Sequence, residues 1–363
     1  MNYDILIVGA GMYGSVMAER LTKIGKRVLV IDKRSHIGGN CYSHNEDGIE
    51  VHDYGPHVFH TSSSSEWEYV NQFGHFRQFD QRTFAIHNDK AYSLPINLKT
   101  IDDFFGVNLT PGQAHAFIES KRVKIDNPQN AEEYALTRIG EELYYAFIYG
   151  YTKKMWGREP NELPVSILQR LPIRFTFEDG YHFDRFSGIP YNGWGEWFKR
   201  LLAGIDYKTG IDYMKDRDRL NEMADVVIFT GPIDHYYSFC FGPLQYRSLD
   251  FEMTKHDCEY YQGCAVMNFP DLADEHTRIV EYKHFFPGGA PAHTITVTET
   301  PRYNPAEPYY PVRSKQDIER LKLYREKAQE ETKVFFGGRL GEYRYYDMNQ
   351  VIKKAMEDYK KFI

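Results

Sequence analysis

Several stretches of this 363-residue chain carry residue types and spacings suited to holding a phosphate-bearing ligand. The first is Gly9-Ala10-Gly11-Met12-Tyr13-Gly14, a G-x-G-x-x-G turn. In such a turn Gly9 and Gly11 let the backbone bend tightly and approach a pyrophosphate, and Gly14 lets a following helix pack closely on a strand. The helix start then offers unpaired N–H groups and a partial positive charge to the phosphates. A second stretch, Lys33-Arg34-Ser35-His36-Ile37-Gly38-Gly39-Asn40, adds a glycine doublet beyond an acidic residue, Asp32. Two arginines, Arg170 and Arg174, bracket Pro172 and make a plausible anion clamp; by residue type they equally describe a solvated loop. Arg278 opens a strand-like run. In Gly150-Tyr151-Thr152-Lys153-Lys154-Met155-Trp156-Gly157, Tyr151 and Trp156 follow a glycine that is expected to end the helix, leaving them off it to stack on a planar base. Finally, Gly337-Gly338-Arg339 leads to Asp347, which reads as the N-cap of a last helix.

The elements needed to position these groups are legible. Residues 3–8 form a short, mostly apolar run expected to be a buried strand. Apolar residues at Tyr13, Val16, Met17, Leu21 and Ile24 repeat at helical spacing up to Gly25, and residues 27–31 read as a second strand ending at Asp32. Asp32 lies eighteen residues beyond Gly14, where it can accept ribose hydroxyls. This is a βαβ dinucleotide fingerprint, and the extra Gly38-Gly39 turn favours FAD over NAD. The expected cofactor contacts here are Gly9, Gly11, Tyr13, Gly14, Asp32, Lys33, Gly39 and Asn40. Residues 224–231 and 333–338 repeat the strand-then-glycine grammar, so three separated segments are expected to build one Rossmann-like domain.

Between them the pattern changes twice. Residues 83–94 read as a hairpin with an Asn88-Asp89 turn, and residues 100–154 as helical, with Leu136, Ile139, Leu143 and Phe147 on one apolar face. Strand-like runs return between 245 and 312, where Pro308-Tyr309-Tyr310-Pro311 reads as a rigid aromatic turn. The expected class is α/β: a discontinuous Rossmann-like FAD domain (1–75, 195–242, 315–363), an inserted helical domain (100–160) and an antiparallel sheet domain (76–99, 161–194, 243–314). In residues 51–61, His57 and His60 flank Val58-Phe59 after a Gly-Pro turn. They are either satisfied loop histidines or part of a loop laid against the cofactor, and a metal site would need further ligands that the neighbourhood does not supply.

Composition narrows the partners. A net charge of −7 disfavours nucleic acid, so an anionic substrate must meet a local arginine cluster. No run approaches the roughly 20 apolar residues that span a bilayer, and residues 1–8 do not read as a signal peptide, so a cytoplasmic location is expected. Four scattered cysteines point to buried free thiols. The 29 tyrosines suggest a cleft that stacks and hydrogen-bonds a polar, ring-bearing ligand.

Taken together, His-Ile-Gly-Gly-Asn at 36–40, Gly-Pro-His-Val-Phe-His-Thr at 55–61, Gly-Tyr-Thr-x-x-x-Trp-Gly at 150–157, Thr-Arg-Ile at 277–279 and Gly-Arg-Leu-Gly-x-Tyr-x-Tyr-x-Asp-Met at 338–348 resemble the bacterial UDP-galactopyranose mutases, essentially end to end. The resemblance implies an isomerase that interconverts UDP-galactopyranose and UDP-galactofuranose for cell-surface glycans and is active only with reduced FAD. It implies that Arg170 and Arg278 hold the UDP phosphates, with His60 near flavin and sugar. It assigns Tyr151, Phe147, Thr152 and Trp156 to the nucleotide, and Tyr181, Asn268, Tyr310, Tyr345 and Asp347 to the phosphates and sugar. Arg339, Pro56, His57, Val58 and Met348 fall to FAD. The implied chemistry is attack of the reduced flavin N5 on the anomeric carbon with UDP leaving, which accounts for the lack of an obvious protein nucleophile. A homodimer and reduction by NAD(P)H or another reductant are further implications. UDP-N-acetylgalactosamine as substrate is an alternative, as is an amine-oxidase-type flavoprotein, which would consume an electron acceptor.

Overall fold

The computed structural model describes residues 3–169, 172–286, 291–303 and 307–363. The strand Tyr3–Val8 lies at the centre of a five-stranded parallel sheet in the order Asp206–Lys208, Val28–Ile31, Tyr3–Val8, Ala224–Phe229, Val334–Phe336. Parallel strands covered on both faces read as continuous apolar runs, and Leu6, Ile7, Val30 and Ile228 are fully buried here. The helices Met12–Lys23, Gly193–Leu201 and Met348–Asp358 cover one face, and Tyr213, Leu220 and Tyr236 pack on the other. The three separated strand-then-glycine segments do meet in one sheet.

A seven-stranded sheet follows the order Tyr310–Pro311, Tyr246–His256, Thr294–Arg302, Arg278–Glu281, Val266–Asn268, Thr83–His87, Lys90–Leu94. Its neighbours are antiparallel except Val266–Asn268 with Thr83–His87. The expected hairpin is present, with Asn88 and Asp89 at φ 49° and 58°, the left-handed pair that a two-residue hairpin turn demands. A smaller sheet joins Phe59–Thr61, Phe186–Pro190 and Phe76–Gln78.

Helices Leu98–Phe105, Pro111–Lys121 and Ala131–Leu143 form the helical region. The last is broken at Gly140 (φ 75°), where a Cβ would lie 2.5 Å from the Lys121 carbonyl oxygen. The chain then passes through a π-helical turn, Tyr144–Tyr149, into the helix Gly150–Trp156. Two expectations are corrected here. Tyr151 and Trp156 are on the helix, because Gly150 keeps helical angles (φ −68°, ψ −38°) and Gly157, at φ 63°, is the stop. Gly150 is required for a close approach: a Cβ there would lie 2.2 Å from the Pro270 carbonyl oxygen. Likewise Tyr310 and Pro311 are not a free turn but pair with Arg247 and Tyr246.

Among the described residues, no helix is long and apolar enough to cross a membrane. All four cysteines are free, but only Cys41 and Cys264 are buried; Cys240 and Cys258 are exposed. Many tyrosines also serve the core rather than a cleft. Their hydroxyls find partners there, as Tyr13 with Asp358 (2.7 Å), Tyr69 with Glu19 (3.1 Å) and Tyr246 with Asp234 (3.0 Å).

Candidate active site

At the end of Tyr3–Val8 the chain turns through Gly9 (φ 110°) into the helix Met12–Lys23, whose N-cap is Gly11. Two of the three fingerprint glycines are demanded by the protein itself. A Cβ on Gly9 would lie 2.0 Å from Thr230 Oγ1, and one on Gly14 would lie 2.0 Å from the Gly9 carbonyl oxygen. Gly11 is different, since a methyl there would meet only Gly39 Cα, at 3.8 Å. Open space over an uncapped helix start, whose first N–H groups have no partner within the helix, suits a pyrophosphate. Gly39 backs the same turn, its own Cβ position lying 2.8 Å from Gly11 Cα, and Gly38 pairs with Gly11 as a short parallel bridge. Asp32 accepts from the Ala10 N–H at 2.8 Å and the Arg34 N–H at 2.9 Å, which fixes its carboxylate beside the turn. A carboxylate oxygen has lone pairs beyond one such bond, so ribose hydroxyls can still be accepted. The residues thus fit a dinucleotide. The Tyr13 hydroxyl donates to Asp358 at 2.7 Å. Lys33 forms an ion pair with Glu307 (3.1 Å), and Asn40 Oδ1 accepts from Arg34 (2.9 Å).

The remaining expected positions gather around a large cleft. Its walls include Pro56, His57, Val58, His60, Phe147, Tyr151, Thr152, Trp156, Tyr181, Asn268, Arg278, Tyr310, Arg339, Tyr345, Asp347 and Met348. Arg170 lies outside the described residues. Arg174, its expected partner in an anion clamp, is buried; its guanidinium donates to the carbonyls of Glu178 (3.1 Å) and Gly180 (2.5 Å) and stacks on Phe183. It holds the loop that carries Tyr181, a structural task that the sequence did not disclose.

Arg278 is the central cation of the cleft. Its Nε donates to Glu299 Oε2 at 2.6 Å, and the two residues face each other across the antiparallel strands Arg278–Glu281 and Thr294–Arg302. Burial opposes the Arg278 charge, but the Glu299 carboxylate more than offsets this and holds the guanidinium protonated. The other Glu299 oxygen is buried with no partner among the described residues. Gly55 (φ 92°) closes on the pair, its Cβ position lying 3.1 Å from Glu299 and 3.2 Å from Arg278. Glu299 was missed by sequence reasoning because nothing but strand register marks it.

Aromatic rings line the rest. Tyr310 and Tyr345 stack at 6.0 Å, with the Arg339 guanidinium 5.1 Å from the Tyr345 ring centre. Arg339 also donates to the Tyr346 carbonyl at 2.6 Å. Burial pushes the Tyr151 phenol up to about 12, so it remains a neutral donor. The helix bearing Tyr151 and Trp156 is tied to the opposite wall by Lys154. Its ammonium donates to the carbonyls of Phe269, Asp271, Asp274 and His276 at 2.7–3.0 Å, the loop that joins Asn268 to Arg278. His57 donates its backbone N–H to His52 Nδ1 (3.0 Å), and its ring Nδ1 meets the Gly55 carbonyl (2.7 Å). Burial lowers its pKa to about 4, so it is neutral at physiological pH. His60 Nδ1 lies 2.6 Å from Asp184 Oδ2, and its ring stacks on His182 at 3.8 Å. Among the described residues no cluster of three or more His, Cys, Asp or Glu could hold a metal.

Fold and cleft together define a protein with a Rossmann-type fold that fits a dinucleotide and a second, arginine- and tyrosine-lined cleft. A family model described as UDP-galactopyranose mutase matches residues 146–345, and one for an NAD(P)-binding Rossmann-like domain matches residues 7–73. The chain is 42% identical to dTDP-fucopyranose mutase of Escherichia coli over 97% of this chain and 96% of that protein. It is 41% identical to a probable UDP-galactopyranose mutase of Klebsiella pneumoniae, over 100% of this chain and 95% of the relative. A crystal structure of reduced UDP-galactopyranose mutase superposes with a TM-score of 0.80 at 14% identity, covering 99% of this chain and 95% of that one. The chain belongs to the UDP-galactopyranose mutase family.

Proposed function

We propose that this protein interconverts the pyranose and furanose forms of UDP-galactose, an isomerisation that requires reduced FAD. The observation that carries the reading is Arg278. It is a permanently charged fork, fixed by Glu299, and it opens on the same cleft as Tyr151 and the Tyr310–Tyr345 stack. Such a cation suits a diphosphate leaving group, whose charge grows as the glycosidic bond breaks. Arg170 would share that task. Tyr151, Phe147, Thr152 and Trp156 would take the base, and Tyr181, Asn268, Tyr310, Tyr345 and Asp347 the phosphates and sugar. Bound FAD would supply, in its reduced form, the nucleophile that the chain lacks. Gly9, Gly11, Gly14, Gly39 and Asp32 would hold its adenosine diphosphate, and Pro56 to Val58, Arg339 and Met348 its other half. NAD(P)H or another reductant would reduce it, and a second copy of the chain is the expected partner.

The 42% identity to dTDP-fucopyranose mutase supports a second substrate, a dTDP-linked 6-deoxyhexose undergoing the same ring change. The test is a parallel assay. Flavin-loaded protein, reduced with dithionite, is incubated with UDP-galactofuranose, dTDP-fucofuranose and UDP-N-acetylgalactofuranosamine, and the products are separated by chromatography. The reading expects UDP-galactopyranose to form with the highest kcat/KM. Preferred conversion of the dTDP sugar would move the protein to the second reading, and conversion of none would defeat both.

A further inference from the structure

The ring change has a proton requirement that neither arginine can meet. When a hexopyranose becomes a furanose, the bond from C1 to the oxygen on C5 breaks and that oxygen gains a proton. The hydroxyl on C4 loses its proton as its oxygen bonds to C1. One proton therefore moves between two sugar oxygens, with no change in oxidation state. An arginine does not deprotonate in proteins; a histidine does.

Three histidines line the cleft, His57, His60 and His182, and their surroundings differ. The Nδ1 of His57 is engaged by a backbone carbonyl, and burial keeps this ring uncharged. His60 Nδ1 meets a carboxylate oxygen, Asp184 Oδ2, at 2.6 Å. An ionised carboxylate only accepts, so the proton between them sits on His60 Nδ1, and in the uncharged ring Nε2 is then the acceptor. Nε2 has no hydrogen-bond partner among the described residues, and the ring is one of the cleft walls. Asp184 is itself held, because Ser62 Oγ donates to its other oxygen at 2.8 Å. Burial works against the Asp184 charge, yet the bonds from His60 and Ser62 outweigh it and keep the carboxyl below its ordinary value. The ring plane is set by His182, stacked 3.8 Å away at 14°, which is in turn braced edge-on by Tyr181 at 5.1 Å. The strand pairing of His60 with Ser187 fixes the backbone beneath.

We propose that Asp184 is a positioning residue that fixes the His60 tautomer, so that Nε2 relays the proton between the oxygen on C5 and the sugar C4 hydroxyl. The inference rests on the mutase reading. The His60 ring returns to its starting state at the end of each cycle, so one group serves both directions.

The experiment has two readouts. In flavin-loaded protein labelled with 15N-histidine, two-bond 1H–15N correlation spectra report which ring nitrogen of His60 carries the proton. Wild type is expected to show the Nδ1–H form, and Asp184→Asn to shift it toward Nε2–H, because the amide offers an N–H to Nδ1. In the reduced enzyme kcat is expected to fall about 10²–10³-fold in Asp184→Asn and Asp184→Ala, the lower part of the range for general acid–base groups, with KM within about threefold. Ser62→Ala, a milder change at an exposed serine, is expected to lose less than tenfold and leave the tautomer unchanged. An Nε2–H wild type, or kcat within about threefold of wild type in both Asp184 variants, would overturn the proposal. Wild-type protein that converts no sugar nucleotide would instead overturn the mutase reading and the proton role with it, while the spectrum would still decide whether Asp184 sets the tautomer.

Discussion

In the proposed function the glycine turn and the arginine cleft are two different answers to the problem of holding a diphosphate. At the turn the donors are backbone N–H groups of contiguous residues, and the chain's contribution is mainly to leave side chains out. In the cleft the donor is a side chain, Arg278, and it requires a buried counter-charge from a different strand. At the first site a Cβ on Gly9 or Gly14 would overlap other atoms. The second depends on a charge pair that must be kept complete. A redox or group-transfer cofactor that stays bound suits the first, and a leaving group that departs and returns in each cycle suits the second.

This contrast can be broken by substitution. The largest effect is expected at Arg278. Arg278→Met should reduce kcat/KM by about 10³-fold or more and cost about 3–5 kcal/mol of stability, because it strands the Glu299 carboxylate in the interior. Adding Glu299→Leu should recover most of that stability and none of the turnover, as read by denaturant unfolding beside the product assay. Turnover in the double variant would show that the cleft does not work through this cation. At the turn the expected pattern is reversed. Gly11→Ala should leave unfolding within about 1 kcal/mol of wild type, since the methyl meets only Gly39 Cα at 3.8 Å, yet lower flavin occupancy at least about tenfold, read from the visible spectrum. Full flavin content in that variant would remove the turn from the cofactor site.

A smaller effect is expected in acid. His57 has a folded pKa near 4 against an ordinary value of 6.5, so the unfolded chain takes up a proton that the folded chain refuses. Its contribution is complete above pH 6.5 and is lost as the pH falls from 6.5 through 4, worth at most about 3 kcal/mol. Unfolding between pH 7 and 4 should therefore be shallower in His57→Gln than in wild type. Equal slopes would place the acid sensitivity elsewhere, with His52, whose pKa burial also lowers, the first to examine.

The two regions also differ in how far the sequence reveals them. The turn, its two strands, the helix and Asp32 are consecutive, and each has a residue type that its backbone geometry demands, so the reading from sequence agrees with the structure nearly residue by residue. The cleft is assembled from the π-turn helix, the Arg278 strand, the 177–184 loop and the last glycine loop. Arg278, Tyr151, Trp156, Asp347 and the His57–His60 pair stand out by residue type and spacing and the other expected residues follow from whole-chain resemblance, whereas Glu299, Asp184, His182 and the Lys154 cage follow from neither. Register makes Glu299 the partner of Arg278, and register is a tertiary fact. Gly150 was misread for a related reason: a glycine that accommodates the carbonyl of Pro270 looks the same in sequence as a glycine that ends a helix. Arg174 carries an apparent phosphate signal, but it is buried under Phe183 and its Nη1 donates to the carbonyls of its own loop.

The claim that a reduced flavin is required but not consumed can be tested directly in one anaerobic experiment. Flavin-loaded protein is reduced once, the excess reductant is removed, and UDP-galactofuranose is added in about hundredfold excess while the visible spectrum and the products are followed together. The account predicts conversion to UDP-galactopyranose many times over per flavin while the spectrum stays that of the reduced cofactor. Flavin that oxidises in step with product, one equivalent for each, would contradict it and make the protein an oxidoreductase on the same fold.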